Sequence, residues 1–190
     1  MRSTTLDWGD SIKKHALILC FDDASDQRIR DYWQQTVSDF PQRNMPPHVT
    51  IGIFSDIPLD RANDTLQTAA QEITAFSLQF SAIGAFISPN KYLYLAPTVT
   101  KELLALHERL HKKFAFCNSD EFSYYRPDNW VPHCTIASAK TAIELAVAMG
   151  ILAQVHESFT AQVTRMAWIE VAQQVRVESC YDLLPQGEII

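Results

Sequence analysis

Pro47-His48-Val49-Thr50-Ile51 and Pro132-His133-Cys134-Thr135-Ile136 are near copies of each other, set far apart in a chain of 190 residues. Each opens an apolar run. Val49, Ile51 and Ile53 alternate with Thr50, Gly52 and Phe54, and Cys134 and Ile136 lead into Ala137. Such runs, entered through proline, predict β-strands. Residues two apart share one face of a strand. His48 and Thr50 therefore point one way, and Val49 and Ile51 the other; His133 and Thr135 are set against Cys134 and Ile136 in the same manner. Each stretch delivers an imidazole and a hydroxyl side by side on a sheet surface. Two such pairs facing each other make a symmetric site with two acid–base groups and two hydrogen-bond donors. A lone His-x-Thr is a common triplet that an ordinary strand histidine explains. The repeated Pro-His-x-Thr-Ile in matching strand context is rare and carries the reading.

The composition bounds what such a site could act on. The chain is long enough for one domain with a real core, and its 47% apolar and 20% charged residues are ordinary for a soluble globular protein. The net charge of −6 argues against a long grip on nucleic-acid phosphates and for a small substrate or an RNA end. Cys20, Cys117, Cys134 and Cys180 lack CxxC spacing, so they read as reduced thiols of a cytoplasmic protein, not as a disulfide framework or a zinc site. No apolar signal stretch or bilayer-length run is present in the sequence, so no membrane partner is expected.

Around the two stretches the other elements follow. His15–Phe21 is continuously apolar and predicts a buried strand. Ser25 or Asp26 would cap a helix through Ile29, Tyr32, Trp33, Val37 and Phe40, stopped by Pro41; an irregular loop with Arg43 then leads into the first motif. A second helix is predicted from about Pro58 or Leu59 to Ala75, Pro58 suiting a first helical position. Phe76–Ile83 and Lys91–Ala96 alternate as strands about a Pro89-Asn90 turn. A third helix runs from Lys101 to about Phe116, with Leu103, Leu106, Leu110 and Phe114 inward. Asn118–Pro132 is a polar and aromatic loop. Thr141 and Glu144 form a capping box for a helix over Ala142–Val155, and strands at Phe159–Val171 and Gln174–Leu184, joined at Gln173-Gln174, close the chain. The fold expected is α+β and bilobal within a single domain, 1–190. Its two pseudo-symmetric lobes, about 24–99 and 100–184, each have an antiparallel-rich sheet with helices outside and share an active cleft.

With the two motifs, the middle stretch Ile83-Gly-Ala-Phe86, Leu93-Tyr-Leu95 and Leu103–Leu110, the chain resembles the 2H phosphoesterase superfamily over essentially its whole length, and in particular its 2′-5′ RNA ligase and cyclic phosphodiesterase branch. The resemblance implies metal-free, cofactor-free cleavage or ligation of a phosphodiester, often a 2′,3′-cyclic phosphate at an RNA end or on a small nucleotide, with His48, Thr50, His133 and Thr135 as the catalytic set. The chemistry suits those residues. Opening a cyclic diester needs water activated on one side and a leaving oxygen protonated on the other, and two imidazoles can share those tasks near neutral pH. The hydroxyls would donate to non-bridging oxygens. Tyr124, Tyr125, Arg126 and Trp130 before the second motif, Arg43 before the first, and Phe54 further along the first motif strand are the candidate substrate contacts, with Lys91 and Tyr92 weaker; a monomer is expected. Against the aromatic contacts stands ordinary packing at the lobe junction.

Two rival readings stand beside this one. His107-Glu108-Arg109-Leu110-His111 spells HExxH on a helix, the signature of a zinc protease. It is weakened by Arg109 and Lys112 and by the absence of a third ligand better placed than Asp120 or Glu121. The other rival is a non-catalytic RNA- or nucleotide-binding protein on the same scaffold, which would not need both imidazoles.

Overall fold

The computed structural model describes residues 13–36, 45–55, 57–87, 91–117, 124–172 and 175–187. Arg43, Val37, Phe40, Pro41, the Pro89-Asn90 turn, Asp120, Glu121 and Gln173-Gln174 lie outside them.

β1 (Lys14–Phe21) is apolar on both faces, and almost all of it is buried, because it sits between two neighbours. On one side runs the first motif strand, β2 (His48–Ser55); on the other runs the long β6 (Phe159–Val171). The second motif strand, β5 (Cys134–Ala139), pairs with β4 (Lys91–Pro97), which pairs with β3 (Phe76–Phe86). All pairings between these strands are antiparallel, in the order β2-β1-β6-β3-β4-β5, and β7 (Arg176–Asp182) adds to β6. β6 joins the two halves. Its first residues, Phe159–Val163, pair with β3, and its remainder pairs with β1 on one edge and β7 on the other. The two expected sheets are thus halves of one sheet that share a strand.

The helices are α1 (Asp23–Gln35), α2 (Leu59–Ala70), α3 (Lys101–Lys113) and α4 (Ala142–Val155). Asp22, not Ser25 or Asp26, caps α1, accepting the Ser25 N–H at 2.9 Å. Thr100 caps α3 and Thr141 caps α4. α2 stops at Ala70, short of the expected Ala75. The chain after β7 draws the next residues into the sheet, with the Leu184 N–H on the Ile73 carbonyl at 2.9 Å and the Ala75 N–H on the Leu184 carbonyl at 2.7 Å.

All four helices cover the same face of the sheet. Ile29, Leu66, Leu110 and Leu152 join Leu17, Leu19, Val49, Ile51, Cys134, Ile136 and Trp168 in one core. A smaller apolar group on the opposite face, Ala16, Ile18, Cys20, Ala167, Ile169 and Met45, includes no helix residue. The strand order also corrects the expected halves. β3 and β4 pair with β5, not β2, and β1 pairs with β6, so residues 24–99 and 100–184 are not separate lobes. The element order instead reads β–α–β–α–β twice, β1 to β3 and β4 to β6, with each unit's last strand pairing beside the other unit's first.

Candidate functional site

β2 and β5 end the strand order, yet they approach within 8 Å at Cα, so the sheet bends until its outer strands meet. That bend brings the two proline-led motifs together. His48, Thr50, His133 and Thr135 share the helix-free face; Val49, Ile51, Cys134 and Ile136 lie in the core behind them. The Cys134 thiol sits against the His48 backbone, and a charge on His133 is felt at His48.

Both imidazoles are held by the same device. His48 Nδ1 lies 2.9 Å from the Pro46 carbonyl and His133 Nδ1 lies 2.7 Å from the Val131 carbonyl, each two residues upstream. A carbonyl can only accept, so Nδ1 carries the proton in both rings and Nε2 is the nitrogen presented to a ligand. Burial pushes the pKa of His48 down to about 4, and the neighbouring His133 adds to the fall. Burial also lowers His133, against the opposing pull of its carbonyl partner. Both rings are therefore neutral in the free protein at pH 7.

Each motif strand carries a β-bulge immediately after its threonine. Ile18 faces Thr50 and Leu17 faces Gly52, which leaves Ile51 without a partner. Tyr94 faces Thr135 and Leu93 faces Ala137, which leaves Ile136 without one. An extra residue reverses the alternation beyond it. This overturns the placement of Phe54, which turns into the core against Trp168 and Phe114, with ring centroids 5.5 and 6.4 Å away.

The other candidate contacts divide. Tyr125 stands by the site, its ring centroid 6.3 Å from that of His133. Trp130 does not line it. It is buried, stacked on His107 at 3.9 Å and 9° and donating Nε1–H to the Thr50 carbonyl at 3.0 Å. Arg126 lies on the helix side, lining a cavity of about 600 Å³ with Phe54, His111, Lys112 and Phe114.

Two aromatic residues beside His133 were not expected from the sequence. Phe86 packs edge-on to the ring at 4.9 Å and Tyr94 at 5.5 Å, with Phe86 and Tyr94 4.6 Å apart. Tyr94 can lie there because its cross-strand partner is Gly84. A Cβ at Gly84 would stand 2.3 Å from the Tyr94 ring. The available signal was the tyrosine alternating with Leu93 and Leu95 opposite that lone glycine.

The HExxH segment serves the fold. His107 Nε2 and His111 Nε2 each lie 3.0 Å from the carbonyl of Ile51, the bulged residue, and His107 Nε2 also lies 3.0 Å from the Tyr125 carbonyl. The nitrogens that would face a zinc ion instead carry protons donated to backbone. Glu108 pairs in solvent with Lys112. Among the described residues no group of three or more His, Cys, Asp or Glu side chains could hold a metal ion, and no helix is long and apolar enough to cross a membrane.

Three kinds of relatives agree with this architecture. A protein of Bacillus cytotoxicus with a provisional phosphoesterase name is 31% identical over 111 residues, which span 57% of this chain and 60% of that protein's length. The crystal structure of Escherichia coli LigT complexed with NADP+ matches at 16% identity with a TM-score of 0.55, over 91% of this chain and 99% of that one. The protein TT0787 of Thermus thermophilus matches at 14% identity with a TM-score of 0.58, over 92% of this chain and 100% of its own. At those identities the structures speak for the fold alone. The model of the 2′-5′ RNA ligase superfamily matches residues 21–174, spanning both motifs. With the antiparallel sheet and its two facing motif strands, that match makes the chain a member of the 2′-5′ RNA ligase superfamily of 2H phosphoesterases.

Proposed function

We propose that the protein opens, or in reverse forms, a 2′,3′-cyclic phosphodiester at an RNA end or on a nucleotide, without a metal ion. The whole chain acts as one catalytic domain, and His48 and His133 are its acid–base pair. The observation that carries this reading is the matched anchoring of the two rings. Each has Nδ1–H on the carbonyl two residues upstream, so two Nε2 atoms are offered from facing strands. Such pinning fixes tautomer and ring orientation before substrate arrives.

The protonation states support a division of labour. Both rings are held neutral by burial, and a charge on one disfavours a charge on the other. A phosphodiester anion entering between them favours one added proton, not two. His48, whose pKa is pushed further down, stays neutral and takes the proton of the attacking water. His133 carries the proton and gives it to the leaving ribose oxygen. Ligation runs the same transfers with a ribose hydroxyl in place of water: His48 takes the proton of the attacking hydroxyl and His133 gives one to the leaving ribose oxygen. Thr50 and Thr135 donate to the non-bridging oxygens, where charge accumulates. Phe86, Tyr94 and Tyr125 form a wall beside His133 against which a base or ribose stacks. Crystal structures of LigT complexed with 3′-AMP and with ATP favour a ligand of nucleotide size.

The test is a panel of cyclic-phosphate nucleotides and oligonucleotides incubated in chelator, with the product phosphate identified as 2′ or 3′. His48→Ala and His133→Ala should each lose orders of magnitude in turnover while keeping much of their ligand affinity. On a diester with an activated leaving group His133→Ala should recover more than His48→Ala. Activity that vanishes in EDTA and returns with zinc or magnesium would overturn the mechanism. Equal ligand affinity with no turnover by the wild type would favour a nucleotide-binding role.

A further inference from the structure

β2 and β5 are edge strands, and an edge strand presents backbone groups that no ladder satisfies. At the motif threonines that need is met by two indoles, each from the opposite half. Trp130, in the segment that feeds β5, donates Nε1–H to the Thr50 carbonyl of β2 at 3.0 Å. Trp33, on the helix between β1 and β2, donates Nε1–H to the Thr135 carbonyl of β5 at 3.2 Å. Both indoles are buried, at 9% and 7% exposure, so the bonds are shielded from water. Trp130 is fixed further by its stack on His107. We propose that Trp33 and Trp130 are positioning residues: a reciprocal pair of indole ties that sets the separation of the two His-x-Thr motifs.

The sheet joins β2 to β5 only by the long way round, through β1, β6, β3 and β4. Small changes of twist along that path add up at the outer strands. A bond from each half to the other motif's threonine carbonyl removes that freedom at the point where it matters. Misplacement by about 1 Å costs about a hundredfold in a positioned reaction. Neither indole touches the helix-free face, so neither is a catalytic residue.

This inference rests on the reading of His48 and His133 as the acid–base pair, and the experiment separates the two. Trp33→Phe, Trp130→Phe and the double variant remove the N–H and keep an aromatic ring. Trp168→Phe is the control. Trp168 is also a buried indole, on the Ala62 carbonyl at 3.3 Å, away from the two motif threonines. Turnover of a cyclic nucleotide should fall at least tenfold in each single tie variant, and further in the double, with KM changed less than kcat. Trp168→Phe should lose comparable thermal stability and keep its turnover. Wild-type turnover in both single tie variants overturns the ties and leaves the acid–base reading standing. Should the wild type turn over none of the panel, that reading fails and ring titration by NMR decides the ties. The rise in the His48 midpoint caused by His133→Ala should shrink in the double tie variant. An unchanged rise overturns the proposal.

Discussion

His107 is a buried imidazole whose removal should flatten the pH dependence of stability. It is 2% exposed, and burial, with the neighbouring His111, pushes its pKa down to about 4. In the unfolded chain the same ring takes its proton near 6.5. Between those values the unfolded state binds more protons than the native state, so stability falls as the pH falls. From pH 7.5 to 4.5 the wild type should lose on the order of 2–3 kcal/mol through this residue alone, at about 1.36 kcal/mol per pKa unit. His107→Phe keeps a flat ring against Trp130 and cannot titrate. It loses the N–H shared by the Ile51 and Tyr125 carbonyls, of which Ile51 still has His111. The cost should be about 1–3 kcal/mol at pH 7.5, the penalty for a buried acceptor left short of a donor. The variant should therefore begin less stable and close most of that gap, or cross over, by pH 4.5. Urea unfolding at pH 7.5, 6.0, 5.0 and 4.5 reads this directly. A difference in unfolding free energy that stays constant over that range would refute the reasoning.

Two further outcomes follow from the same geometry. Gly84→Ala places a methyl group where the Tyr94 ring lies, so it should cost about 1–3 kcal/mol in thermal or urea unfolding. It should also weaken nucleotide binding, because Tyr94 must leave its place beside His133; Tyr94→Ala in that background should restore stability but not binding. The pH profile of kcat/KM should be a bell whose maximum lies below pH 6.5, since both His48 and His133 are depressed in the free protein. The profile of kcat should be displaced to higher pH, because bound phosphate favours the charged ring. Coincident profiles, or a maximum above pH 8, would count against the assignment.

Much of this was legible because periodicity and proline placement are local. The continuous apolar run of β1, the alternation in β3 and β4, and the Thr141–Glu144 cap of α4 all declare themselves within a few residues. The pairing of the two motifs was legible because a five-residue near-repeat in strand context carries its own orientation. The bulge at Ile51 was not. It depends on how β1 and β2 align, and it moved Phe54 from the expected cleft face to the core. Trp130 read as a cleft residue for a similar reason. Its partners, the Thr50 carbonyl and the His107 ring, come from β2 and α3, and no spacing within its own loop reports them. HExxH was equally ambiguous. Two histidines four apart do share a helix face, and only the position of the bulged carbonyl decides that the face is a brace for β2. The division into halves failed because pairing crosses between the repeat units, which element order alone does not reveal.

The sharing of β6 bears on how the chain is made. β1, at residues 14–21, pairs early with β2 along one edge but finds its second neighbour only at residues 163–171, and neither half of the sheet is complete without that strand. During synthesis the amino-terminal unit must wait, its apolar strand open, until nearly the whole chain has left the ribosome. Closing so long a loop late is slow. A chain cut just before residue 159 would leave one edge of β1 and one edge of β3 open and aggregation-prone, whatever the quality of the motifs it already contains.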